Sequence, residues 1–432
     1  MTSILTRQSA TNAPTIHQLD NGLTVIAEQM PVEAVNLNVW INVGSAKESN
    51  EINGMAHFLE HMVFKGTANL AVGQFEQLIE ERGAVTNAAT SQDYTHYYIT
   101  AAPQDFAELA PLQLDVLLNP SLENQAFERE KLVVLEEIRR SEDNPRRRAF
   151  RRSMETCFAT LPYRRPVLGP AAVIENLRSQ QMRDFHNAWY QPQSMTAAVV
   201  GNLPVTQLIE IVTQSYEQHH HVQEPSKNRT KNTVPSVTPE PSFDKIVRHE
   251  YIDETLQQAR LMMVWRVPGM ENPEQTYALD ILSVILGQGK VSRLFRELRE
   301  EKGLVTHVGV SNLTQTHQGA FYISAALPFE NVAQVEQAIC EQIRILQTEP
   351  ISAKDIKRIR TQVANRFVFA NERPSDRANL YGYYYSQLQD LAPALNYPEH
   401  IQAISAADLQ LAAQKYLNPE AYGVVVMKPS NQ

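Results

Sequence analysis

Residues 57–61 read His-Phe-Leu-Glu-His. On an α-helix of ~3.6 residues per turn, positions i, i+3 and i+4 share one face. If residues 54–65 are helical, His57 and His61 can grip one Zn²⁺ through neutral ring nitrogens. Glu60 then lies on the same face, placed to take a proton from an attacking water. Two histidines leave the ion one protein ligand short, because a catalytic zinc keeps three protein ligands and one open position. Candidates for the third lie in Glu128-Arg-Glu-Lys-Leu-Val-Val-Leu-Glu-Glu-Ile, a strongly helical stretch. Glu130 and Glu137 stand seven apart on one face of that helix, and Glu136 points elsewhere. A carboxylate on a partly buried face needs a reason to be there. Alone, the five-residue motif is a weak signal, since many helix histidines are merely hydrogen-bonded.

Two helices far apart in sequence must meet for this chemistry to exist, and the surrounding pattern predicts how. The 432 residues exceed what one core holds, ~250–300 residues. The first half opens with LTVIAEQM and VNLNVWINVGS, gives the helix GMAHFLEHMVFKG and the strand pair GAVTNAATSQDYTHYYITAAP, and continues into helices over 104–118 and 122–143. The second half repeats the order with IVRHEYI, ARLMMVWRVPG, QTYALDILSVILGQG, GLVTHVGVSNLTQTHQGAFYISAALP and helices over 329–347 and 352–371. Each half closes on a strand, at 195–202 and 423–429. This is an α+β chain of two tandem homologous domains, each a mostly antiparallel sheet walled by helices. The expected boundaries are 1–222, a Pro-rich linker over 223–244, and 245–432. Ligand sites favour the interface of such a pair.

Composition narrows the function. The formal charge of −9 argues against a general nucleic-acid binder. Arg146-Arg147-Arg148 and Arg151-Arg152 therefore read as a solvated helix face or an interdomain salt-bridge patch. His219-His220-His221 beside the linker reads as a solvated helix end. Cys157 and Cys340 lack metal-ligand spacing and read as buried small hydrophobes in a reducing compartment. No run of ~18 or more apolar residues predicts a membrane span. The start MTSILTRQSATNAPTIHQLDNG lacks a signal-peptide core, so a cytoplasmic protein is the expectation.

GMAHFLEHMVFKGT followed by EREKLVVLEEIRRSEDNP resembles the pitrilysin and insulin-degrading-enzyme family of inverted zincins, whose motif is HxxEH. Length and the single motif are most similar to the branch of the mitochondrial processing peptidase and its bacterial homologues. The resemblance implies a zinc metalloendopeptidase acting on unfolded peptides or extended segments. The family's third ligand follows the second histidine by about 76 residues, which falls on Glu137, and its supporting carboxylate seven residues earlier falls on Glu130. In that reading the metal set is His57, His61 and Glu137, with Glu60 the general base. Asn87, Ala88 and Thr90 match positions where an edge strand pairs with the substrate backbone. YRRPVLG at 163–169 matches a family segment and reads as a loop packed by Tyr163 and turned at Pro166 and Gly169.

The second half resembles the family at GQGKVSRLFRELREEKGLV but lacks HxxEH, its corresponding helix over 277–286 being plain apolar core. One Zn²⁺ per chain follows. The family's substrate-binding arginine falls on Arg299, and the tyrosine seven residues later is Thr306 here, too short to replace a phenol. The resemblance thus also implies a dimer, possibly a heterodimer whose second subunit brings an intact Arg/Tyr pair. The rival reading is a non-catalytic, substrate-binding or scaffold subunit of the same family, whose members lose motif ligands that this chain retains.

Overall fold

The alternating segments of the first half do pair into one sheet, and the helices between them cover it. The computed structural model describes residues 13–219 and 237–430. The first half runs β1 (Thr15–Gln18), β2 (Thr24–Gln29), β3 (Val35–Ile41), α1 (Met55–Val63), α2 (Gln74–Glu81), β4 (Val85–Thr90), β5 (Thr95–Ala101) and α3 (Phe106–Leu118). It continues through α4 (Asn124–Asp143), α5 (Pro145–Cys157), α6 (Ala171–Asn176), α7 (Ser179–Trp189), β6 (Met195–Gly201) and α8 (Val205–His219). The sheet order is β1-β2-β6-β3-β5-β4, with β2 and β6 parallel and the other neighbours antiparallel.

The second half repeats it with β7 (Val247–Ile252), β8 (Ala259–Pro268), α9 (Tyr277–Gly287), a short π-helical stretch Phe295–Glu301, β9 (His307–Leu313) and β10 (Gln318–Leu327). Then come α10 (Val332–Thr348), α11 (Ala353–Phe369), α12 (Pro374–Leu388), α13 (Ala392–Leu395), α14 (Tyr397–Ala403), α15 (Ala406–Tyr416) and β11 (Gly423–Lys428). Its order is β7-β11-β8-β10-β9, with β7 and β11 parallel. The five strands correspond one for one to β2-β6-β3-β5-β4. The fold is α+β in two tandem repeats.

The repeats do not stop at a clean boundary. Helix α5 of the first half packs on β8 and β11, and α12 of the second half packs on β3 and β6. By the strand correspondence this is a reciprocal exchange: each half lends the other the helix that follows its long helix. The exchange explains β3, whose alternating sequence predicts one wet face but which is buried throughout. Asn36 and Asn38 on it bond internally, Asn36 Nδ2 donating to Ile99 O at 3.0 Å and Asn38 Oδ1 lying 3.0 Å from His96 Nδ1, while Asn36 Oδ1 finds no partner among the described residues. Each swapped helix is pinned by an arginine reaching a carboxylate of the other half. Arg148 Nε donates to Asp253 Oδ2 at 2.9 Å, and Arg377 Nη1 reaches Glu28 Oε1 at 3.3 Å.

Three expectations need correction. Residues 223–236 of the expected linker lie outside the described residues, but 237–244 is docked, not free. The Glu240 carboxylate there accepts the backbone N–H groups of Ala159, Thr160 and Leu161 at 2.7–2.9 Å and pairs with Arg266 at 3.0 Å. These three N–H groups belong to the loop after α5, where they find no backbone acceptor among the described residues, and Glu240 supplies the acceptor. His219 is not a solvated helix end: its Nδ1 lies 3.1 Å from Asp115 Oδ1, and the pair is largely buried. His220 and His221 lie outside the described residues. Helix α9 is not wholly apolar, since Asp280 sits in it, held by Asn312 Nδ2 at 2.8 Å and the Tyr397 hydroxyl at 3.0 Å.

Cys157 and Cys340 are both buried and free. Among the described residues no helix is long and apolar enough to cross a membrane.

Candidate metal centre

Helix α1 is fixed at its start before it contributes anything chemical. Gly54 precedes it with φ 101°, and a side chain there would run into the Leu168 carbonyl oxygen. The buried Glu48 carboxylate accepts the N–H groups of Gly54 at 2.8 Å and Ala56 at 2.7 Å, and the Asn53 amide at 2.8 Å. It thereby serves orphan donors at the positive end of the helix. Burial holds its pKa above the usual carboxylate value, with these bonds opposing. The apolar face of α1 (Met55, Phe58, Leu59, Met62) is wholly buried, and Phe58 stacks on Phe127 of α4 with ring centroids 4.7 Å apart. That packing sets the opposite edge of α1 against the carboxylates of α4.

There His57, His61 and Glu137 meet: one ligand atom from each lies within 4.8 Å of the others. Both Nε2 atoms are 3.5 Å from Glu137 Oε2. Burial, reinforced by the charge of His61, lowers the His57 pKa to about 4, so its ring is neutral at physiological pH. Its Nδ1 is buried without a partner among the described residues. Burial also works against charge on His61, but hydrogen bonds to Glu130 and Glu137 outweigh it and raise the pKa to about 9. Two imidazole Nε2 atoms thus converge on one carboxylate oxygen, and the proton held between His61 and Glu137 is one that a bound cation would displace. A divalent cation fits that donor set, and the residue types suit zinc.

Glu130 stands behind His61, with Oε1 3.0 Å from Nδ1, and its Oε2 pairs with Lys65 Nζ at 2.8 Å. Glu136 turns to solvent and binds Arg139 and Arg140. Glu60 lies beside the cluster, its Oε2 accepting a short hydrogen bond from the Thr90 hydroxyl at the end of β4. Burial raises its pKa, partly opposed by that bond.

These groups open on a cavity of about 720 Å³ between the halves, lined by His57, Glu60 and Glu137 on one side and by Arg260, His307 and Tyr322 on another. The 163–169 loop contributes to its wall. As its sequence predicts, Tyr163 is buried and Gly169 turns the chain at φ 75°. The Tyr163 hydroxyl donates to Asp93 Oδ1 at 3.0 Å.

The four residues matched to substrate binding are not all at the cavity. Thr90 lines it, and so does Ala89; Asn87 and Ala88 lie farther along β4, which is an edge strand. The Ala88 N–H donates to Asn87 Oδ1 at 2.9 Å. Arg299 is half-exposed in the π-helical stretch, its guanidinium over the Phe295 ring and outside the cavity lining. Thr306 donates its hydroxyl to Gln258 Oε1 at 2.8 Å. Sequence reading missed Glu48, Lys65 and Arg260. An acidic residue shortly before a glycine-started helix is a signal for a cap; a strand arginine such as Arg260 carries none.

Comparisons with known proteins agree with this geometry. Residues 23–171 match the sequence model described as insulinase (peptidase family M16), and residues 176–363 match the one described as the peptidase M16 inactive domain. The metal constellation falls wholly in the first. The chain is 27% identical to the zinc protease PqqE of Helicobacter pylori over 95% of this chain and 92% of that one. It is 26% identical to an uncharacterized zinc protease of Rickettsia felis over 93% of this chain and 94% of that one. A crystal structure of a protease from Helicobacter pylori superposes with a TM-score of 0.89 at 26% identity, covering 96% of this chain and 99% of that one. With both halves matched in order and the same two-repeat architecture, the chain belongs to the insulinase, or M16, family of peptidases.

Proposed function

We propose that the chain is a zinc metalloendopeptidase that hydrolyses unfolded peptides or extended protein segments. The observation that carries this is the convergence of His57, His61 and Glu137 beside Glu60 at the mouth of the inter-half cavity. His57, His61 and Glu137 hold one zinc ion, with Glu130 orienting His61. Zinc bound there supplies a Lewis acid that polarises a carbonyl and acidifies water near neutral pH. Glu60 accepts the proton of the attacking water and returns it to the leaving amine. Thr90 fixes one oxygen of Glu60 and leaves the other for the water. The substrate lies extended along the open edge of β4, where main-chain bonds set register with little regard to sequence. Asn87, Ala88 and Thr90 are the contacts there, and the bond from the Ala88 N–H to Asn87 yields to the incoming strand. Arg299 contributes to substrate binding at the rim.

The chain works as a dimer of the processing-peptidase type, with a homologous subunit supplying the Arg/Tyr pair that Thr306 interrupts. Metal analysis after dialysis, together with hydrolysis of a flexible reporter peptide, tests the reading. One zinc per chain and activity lost on chelation are expected. Metal near zero in zinc-supplemented, folded protein overturns it.

A further inference from the structure

The cavity carries a charge opposite to that of the chain. The whole protein is at −9, yet seven arginines line the cavity against three glutamates, two of which are Glu60 and Glu137, and His307 stands among the arginines as a hydrogen-bonding ring. The third, Glu142, is engaged by Arg151. Some of the arginines are structural: Arg148 pins α5 to Asp253, and Arg165 binds backbone carbonyls of Ser45 and Ala46. Arg146, Arg147 and Arg260 make no salt bridge among the described residues, although Arg147 is near enough to Glu137 to favour its charged form, and Arg260 Nε is buried without a hydrogen bond. Arg260 on β8 and His307 on β9 flank Ala326 of β10 in one cross-strand row, so both side chains rise from the same face.

Burial first, and then the charge of Arg146, depresses the Arg260 pKa, and His307 is lowered by burial and by Arg146, Arg260 and Arg299. Like charges gathered in a partly dehydrated cavity repel, and their field concentrates an anionic ligand. Guanidinium groups match carboxylates with paired, charge-assisted hydrogen bonds.

We propose that Arg146, Arg147, Arg260 and His307 form a carboxylate-binding subsite that selects peptides with an acidic side chain or a free C-terminus near the point of cleavage. The proposal rests on the peptidase reading for the identity of the ligand as a peptide. Its test does not require turnover. Labelled flexible peptides of one length are made with a single Glu, Gln or Lys moved along an uncharged frame, and with a C-terminal acid or amide. Binding to the full chain carrying Glu60→Gln is read by fluorescence anisotropy at low and high salt.

In at least one register the Glu peptide, or the free acid, should bind about tenfold more tightly than its neutral counterpart, with the gap closing at high salt. The Glu and C-terminal arms tell the two sources of carboxylate apart. Adding Arg146→Gln and Arg260→Gln together should bring the ratio to near one. If that variant does not fold, Arg146→Gln and Arg147→Gln, both at exposed positions, repeat the measurement singly. Equal affinity for Glu and Gln and for acid and amide, or a preference that survives the arginine changes, overturns the subsite. If charge preference is found but zinc-loaded wild type cleaves none of the peptides, the peptidase reading fails and the subsite stands. Cleavage without charge preference has the reverse meaning.

Discussion

Glu130→Gln should weaken zinc binding without abolishing it. The Glu130 side chain is only 12% exposed, and its two oxygens serve different partners, His61 Nδ1 at 3.0 Å and Lys65 Nζ at 2.8 Å. A glutamine keeps the shape but has only one acceptor. If its oxygen faces His61, its NH₂ faces the Lys65 ammonium; if it is flipped, it faces the ring N–H with a donor. Either way one buried charge-assisted bond is lost, and water screens little of that loss. Removing the partner that orients a histidine ligand typically costs 10–100-fold in metal affinity, or about 1.4–2.7 kcal/mol. The double role of Glu130 places the loss toward the upper end. Apo protein competed against a chelator of known zinc affinity measures it directly. Glu137→Gln in the same assay should lose more, because a charged ligand itself is removed. Activity of Glu130→Gln should largely return at saturating zinc. Wild-type affinity in Glu130→Gln would refute the idea that this carboxylate orients His61.

Two further predictions concern the frame that holds the site. Burial raises Asp280 to about 6 from an ordinary value of 3.8, with hydrogen bonds from Asn312 and Tyr397 opposing. The folded protein therefore keeps a proton that the unfolded chain has released between those two values, and stability falls as pH rises through that window. Part of the residue is still exposed, so the effect is at most about 3 kcal/mol. Asp280→Asn should lack it, and chemical denaturation at pH values below and above the window should show the variant gaining on wild type as pH rises; a constant difference would contradict this. Gly382 lets α12 lie against the buried Trp40 indole of β3, where an added Cβ has no room. Gly382→Ala should destabilise by roughly 1–3 kcal/mol or more, read as a lower Tm, and an unchanged Tm would mean that the exchanged helix does not dock there.

The parts of the site that were legible in the sequence are the local ones. His57, Glu60 and His61 share a face by helix periodicity alone, and the apolar face of the same segment predicts which side is buried. Glu137 was one of two carboxylates on a suitable face, and choosing it took the family's spacing, because nothing local says which helix will lie opposite α1. The repeat order was readable since each strand and helix carries its own period. The exchange of α5 and α12 was not, for a helix's sequence shows that it has an apolar face but not which sheet covers it. The arginine run 146–152 shows the consequence: one sequence cluster divides into an interdomain pin at Arg148, a partner for Glu142 at Arg151, and cavity cations at Arg146 and Arg147. Asp280 and His219 were misread for a related reason, since their polar partners come from segments 30 or more residues away.

The central claim is that this constellation hydrolyses peptides with Glu60 as the base, and turnover of one flexible peptide by zinc-loaded wild type and zinc-loaded Glu60→Gln tests it most directly. The amide keeps the shape and can still accept from Thr90, so zinc content should match wild type while kcat falls by about 10²-fold or more. Equal turnover by the two proteins at equal zinc content would contradict the account.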